Sequence, residues 1–149
     1  MTTMYTIHRT NKYNRPPPPL TIPLHGLDLS PAIDIRIHRF YHPPPTQVTS
    51  SSTDVIDILK SSLAEALELY PPVAGAVCAN ERGEVWIATD AKNILGTPFL
   101  VEMKDTSYAG DTEDLSPRLD IILPPGSSTL AVKVTQVSSP CIPIFFFSM

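Results

Sequence analysis

Leu59-Lys60-Ser61-Ser62-Leu63-Ala64-Glu65-Ala66-Leu67-Glu68-Leu69-Tyr70-Pro71-Pro72-Val73-Ala74-Gly75 is the stretch that decides the fold of this chain of 149 residues. Val55, Ile58, Leu59, Ser62, Leu63, Ala66, Leu67 and Tyr70 recur at three- and four-residue steps, while Asp57, Lys60, Ser61, Glu65 and Glu68 fill the other side. The pattern predicts an amphipathic helix over 55–70. Thr53 or Asp54 is placed to cap its first free N–H groups. Pro71-Pro72 ends it, because a residue before proline is pushed out of helical geometry. The chain is then expected to turn directly into a strand of small residues over 73–79.

A helix with a single apolar stripe needs a sheet to lie on, and the flanking sequence reads as strands. Ile33, Ile35 and Ile37 alternate with Asp34, Arg36 and His38, predicting a strand over 33–41 with one apolar face. His38 falls on its polar face, where solvation is the ordinary fate of a histidine. Pro43, Pro44 and Pro45 close the strand, since proline donates nothing to a sheet ladder. Asn80-Glu81-Arg82-Gly83 reads as the turn of a hairpin between 73–79 and 84–89, with Gly83 in the left-handed position and Trp86 as a core or interface anchor.

Further along, 97–103 is expected as a strand with Phe99, Val101 and Met103 on one face. Residues 130–137 are expected as another, with Leu130, Val132 and Val134 together. Residues 120–123 are strand-like and precede a turn at Pro124-Pro125-Gly126. Between these strands, 104–116 is an acidic solvated loop without the rigid spacing of a metal site. At the other end, 4–8 fits a short edge strand. Pro16–Pro19 then imposes extended polyproline geometry on a proline-rich leader, 1–19. That run reads as a rigid connector or, if exposed, as a ligand for a proline-reading domain. The order β, long α, hairpin, β, β predicts an α+β or mixed α/β fold, a mixed sheet with one long helix packed on it. No internal repeat and no glycine-rich phosphate loop is present.

Bulk properties narrow the function. The length fits one domain, and 42% hydrophobic with 17% charged residues is a globular composition. A net charge of −4, with the 11 basic residues scattered, argues against a nucleic-acid partner. Cys78 and Cys141 are too few for a disulfide scaffold and lack metal-ligand spacing, so they read as reduced thiols. Met1 to Arg9 has no apolar signal-peptide core, and the apolar run 142–147 is too short to span a bilayer. A cytoplasmic location without membrane partners is therefore expected.

Several pieces occur in the order seen in the amino-terminal part of the acyl-CoA-dependent acyltransferases of the BAHD family of plants and fungi. Leu29-Ser30-Pro31-Ala32-Ile33-Asp34 resembles the family's Leu-Ser-x-x-Asp opening with one extra residue. Phe40-Tyr41 resembles its aromatic pair. Leu59 to Leu63 with Leu67, Tyr70-Pro71 and Ala74-Gly75 resembles its long helix and Tyr-Pro-x-x-Ala-Gly exit. Gly83-Glu84-Val85-Trp86-Ile87 resembles the next hairpin strand, and Val132-Lys133-Val134-Thr135 its Val-x-Val-Thr strand. The match covers most of 20–137.

The resemblance implies half of a two-layer domain similar to chloramphenicol acetyltransferase. It also implies an enzyme of secondary metabolism that moves an acyl group from a CoA thioester to a small alcohol or amine. In such enzymes the histidine of His-x-x-x-Asp deprotonates the acceptor, a role that suits a pKa near working pH. None of His8, His25, His38 and His42 has Asp at the fourth following position. In register, Ser139-Pro140-Cys141 stands where the family has Cys-Gly-Gly, and the histidine would fall just beyond Met149. No catalytic, cofactor-binding or metal residue is therefore assigned, and acyl-CoA enters only as an implied co-substrate.

The expectation is a single truncated acyltransferase-like domain over 1–149, inactive alone. Its divergent apolar tail, 138–149, is expected to lie exposed where a carboxy-terminal half would cover it. The alternative is a non-catalytic binding or interaction protein that keeps the half-fold.

Overall fold

The computed structural model describes residues 2–25, 38–41, 52–90, 95–104, 128–137 and 144–148. In chain order their elements are β1 (Thr2–Ile7), β2 (Thr21–Pro23), β3 (His38–Tyr41), α1 (Ser52–Leu69), α2 (Pro71–Ala74), β4 (Ala76–Ala79), β5 (Val85–Ala88), β6 (Thr97–Lys104), β7 (Val132–Val137) and β8 (Ile144–Ser148). A five-stranded sheet runs β1-β6-β7-β8-β3, and a three-stranded sheet runs β2-β5-β4. The β6/β7 pair is parallel; the other pairs are antiparallel. An isolated bridge between Ala76 and Ser128 joins the start of β4 to the approach to β7. Beside it the Thr129 N–H donates to the Gly75 carbonyl at 3.1 Å.

The core forms where α1 lies on one face of the larger sheet. Strand alternation puts Phe99 and Val101 of β6 beside Val132 and Val134 of β7. Ile56 of α1 closes on this patch, with Ile7, Leu59, Leu63 and Leu130 packed around it. Phe99 is 1% exposed and Val134 fully buried. Burying side chains of this size is worth about 1.5–3 kcal/mol each. Packing of this face, more than intrinsic propensity, holds the helix in place.

The long helix, the hairpin, and strands over 97–103 and 130–137 are all found, with corrected bounds. α1 starts at Ser52, so Thr53 and Asp54 stand inside its first turn and not at the cap position. Its buried face is also rotated from the expected stripe. Ile56, Leu59, Leu63 and Leu67 face inward, whereas Ile58 is 61% and Tyr70 64% exposed. The amino-terminal segment packs against the flank that carries Glu68 and turns that flank inward. Pro71-Pro72 does stop α1, but Pro71 opens the short helix α2, because a proline at the first helical position loses no hydrogen bond there. The strand expected over 73–79 is therefore only Ala76–Ala79. Gly83 takes the left-handed conformation, with φ of 77°, as the turn requires.

The edge strand expected over 4–8 is found as β1, Thr2–Ile7, paired along β6 at the edge of the larger sheet. Thr21–Pro23, unforeseen, becomes an edge strand against β5. Met103 is 49% exposed although it shares the periodicity of Phe99. The apolar tail was expected to be an exposed end. Its segment Ile144–Ser148 instead runs inside the larger sheet, hydrogen-bonded to β7 on one side and β3 on the other. The expected strand over 33–41 is described only at His38–Tyr41. The expectations over 105–127 and 138–143 fall on residues outside those described.

Candidate functional site

Away from α1, the centre of the larger sheet carries a polar cluster. Glu102 alternates with the core-facing Val101, and Lys133 and Thr135 alternate with Val132 and Val134. Parallel register sets Glu102 opposite Thr135. Lys133 Nζ lies 2.9 Å from Glu102 Oε2, and Lys104 Nζ lies 4.0 Å from the same oxygen. The Thr135 hydroxyl reaches it at 3.5 Å. Thr135 is only 3% exposed.

Burial pushes the Glu102 carboxyl up. The Lys133 hydrogen bond and charge, the Lys104 charge and the Thr135 hydroxyl together outweigh it and hold the group below its ordinary range. Glu102 is thus an ionised, already paired carboxylate at neutral pH. It can orient neighbours, but it is poorly matched to proton transfer. The backbone also brings a histidine position into this row. His38 on β3 and Lys133 on β7 both stand opposite Ser148 of β8, one on each side.

A second polar cluster ties the amino-terminal segment to the end of α1. Glu68, 6% exposed, accepts the Thr10 hydroxyl at 2.6 Å and the N–H groups of Lys12 and Tyr13 at 2.8 and 2.9 Å. One turn earlier, Glu65 pairs with Lys12 Nζ at 2.6 Å and accepts the Tyr13 hydroxyl at 3.1 Å. Burial pushes the Glu68 carboxyl up. The hydrogen bonds from Thr10, Tyr13 and Lys12 and the charge of Arg15 hold it down nonetheless. Glu65 is held down by Lys12 and Tyr13. Beside this clamp an open cleft of about 1080 Å³ is lined by Arg9, Asn11, Arg15, Pro17, Glu68 and Pro71, among others.

His8 and His25 stand at different places in the fold. His8 is exposed and packs beside Gly96, where an added Cβ would meet its Cε1 at 2.9 Å. His25 lines a separate open cleft of about 520 Å³ with Trp86 and Glu84. His42 lies outside the described residues, as do Cys141 and the acidic loop over 105–116. Cys78 is a free thiol whose Sγ sits 3.7 Å from the Ala76 carbonyl. Among the described residues no group of His, Cys, Asp and Glu is arranged to hold a metal ion, and no helix is long and apolar enough to cross a membrane. Sequence reading missed Glu68, Glu102 and Lys133. The available signals were the lone charges within Val101-Glu102-Met103 and Val132-Lys133-Val134.

No family model matches the chain, and no curated protein matches it. Among solved structures it is similar to the crystal structure of vinorine synthase, with 17% identity and a TM-score of 0.56. The likeness covers 100% of this chain and 38% of that one, and at this identity it is a likeness of fold. The chain therefore has a mixed α/β fold and spans well under half the length of this structural relative.

Proposed function

We propose that this chain is the amino-terminal part of a BAHD-like acyltransferase, building half of a chloramphenicol-acetyltransferase-like domain and inactive alone. The observation that carries the reading is the fold likeness of the whole chain to part of vinorine synthase. The ordered sequence pieces from Leu29 to Thr135 support it independently of the fold. In the longer enzyme, acyl-CoA and a small alcohol or amine are the substrates. The base is a histidine encoded beyond Met149, and this chain supplies the sheet and helix that position it. The Glu102–Lys133–Thr135 cluster stiffens the strand that leads toward that histidine, and a fixed base is what general-base catalysis requires.

The test is to sequence the transcript beyond the Met149 codon. A His-x-x-x-Asp-Gly in frame, or restored by one frame correction, is the expected result. A downstream sequence with no such motif in any frame overturns the reading.

The alternative, a binding protein that keeps this half-fold, has one observation in its favour. With β8 seated between β7 and β3, the larger sheet is built from the tail of this same chain.

A further inference from the structure

Arg15-Pro16-Pro17-Pro18-Pro19-Leu20 spans the gap between the Glu68 clamp and β2 as a strap. Each of Arg15, Pro16, Pro17 and Pro18 precedes a proline, which restricts it to extended geometry. Each proline also has its own φ fixed near the polyproline value. No cis peptide bond occurs among the described residues. A polyproline helix has three residues per turn, so Pro16 and Pro19 share one edge. Both are exposed, as is Pro17, and Leu20 is 67% exposed.

The strap is fixed at both ends. On one side Thr10, Lys12 and Tyr13 are held by Glu68. On the other, the Thr89 N–H donates to the Leu20 carbonyl at 3.0 Å and the Thr89 hydroxyl donates to the Pro19 carbonyl. The carbonyls of Pro16, Pro17 and Pro18 accept no hydrogen bond among the described residues. The open cleft runs along the side of the strap nearer α2. Two arginines, Arg9 and Arg15, line that cleft with the strap. Among the described residues Arg9 has no ion pair, and Arg15 has only its attraction to Glu68.

We propose that this strap is a docking site for a proline-reading domain of the SH3 type, whose aromatic groove takes the Pro16–Pro19 edge while carboxylates flanking the groove pair with Arg15 and Arg9. Aromatic-lined grooves recognise P-x-x-P segments because the polyproline helix is already formed and little entropy is lost on binding. Anchoring at both ends lowers that cost further. The free carbonyls of Pro16 to Pro18 remain available to donors in the groove. The charge on Arg15 selects a groove with an acidic rim over a neutral one.

The test titrates the intact 149-residue chain into a panel of isolated SH3 domains with acidic rims, following the fluorescence of the groove tryptophan. A WW domain is the comparison. Saturable binding to at least one SH3 domain is expected, weakened tenfold or more by Pro16→Ala with Pro19→Ala and at least threefold by Arg15→Gln at low salt. Far-UV circular dichroism of each variant, unchanged from the parent, separates lost contact from lost fold. Failure of every SH3 domain to bind overturns the proposal. So does binding that the proline variant leaves unchanged, or binding by the WW domain alone.

Discussion

At Gly75 the end of α2 closes tightly on β5. A Cβ there would stand 2.7 Å from the Ala88 carbonyl oxygen and closer still to Ile87 Cγ2. Its φ of −78° is open to any residue, so space and not backbone freedom requires glycine. Gly75→Ala is expected to cost about 1–3 kcal/mol by overpacking, read as a lower urea midpoint at an unchanged m-value. The pair at the sheet centre behaves differently. Lys133→Met leaves the Glu102 carboxylate partly buried with its main partner gone. The expected loss is about 1.5–3 kcal/mol, the range for hydrogen bonds to charged groups. Adding Glu102→Leu should recover part of that loss, because an apolar pair needs no compensation. A double-mutant cycle in urea measures the coupling. The lone charges were visible in the sequence, but the pairing was not. A parallel register joins strands distant along the chain, and nothing local to either strand encodes it.

At the scale of elements, α1 shows how far periodicity reaches. The helix and its proline stop were legible in the sequence, since both follow from local sterics. The buried face was legible only approximately. Which flank turns inward depends on the amino-terminal segment, and Thr10, Lys12 and Tyr13 lie more than fifty residues from Glu68. That clamp makes stability pH-dependent. Glu65, Glu68 and Glu102 all titrate below their ordinary 4.5 in the folded chain. A carboxyl depressed by folding adds stability above its unfolded pKa, and the contribution is lost as pH falls through the folded value. Stability should therefore hold down to about pH 4.5 and fall below it. Lys12, raised above 10.5, adds stability below that value and loses it as pH rises through its folded pKa. Glu68→Gln should make the acid limb less steep in a series of denaturation curves, because one titrating group is removed. Glu68→Ala should speed amide exchange at Lys12 and Tyr13, whose N–H groups lose their acceptor. Where α1 meets the sheet, Phe99→Ala is expected to cost about 3–5 kcal/mol, as for other buried aromatic deletions. The drop in thermal midpoint checks it.

For the molecule as a whole, the mixed helix-on-sheet class followed from the order of patterns. The strand order did not. The tail illustrates why. Ile144 to Phe147 reads as an exposed apolar end when the chain is followed in one dimension, yet its backbone fills the place between β7 and β3. An apolar run is equally suited to an interior strand and to a surface awaiting a partner, and tertiary pairing decides between them. Of the candidate site, the charges of Glu102 and Lys133 were legible, while their meeting across β6 and β7 was not. The proposed function stands or falls on chemistry. The most direct measurement compares CoA release from an acyl-CoA, with an acceptor alcohol or amine present, by the 149-residue chain and by the chain extended through its downstream frame. The expected result is no release above a boiled control for the short chain, and turnover for the extended one that is abolished by replacing its new histidine. Turnover by the short chain, or an extended and folded chain that remains inert with every acceptor tried, would contradict it.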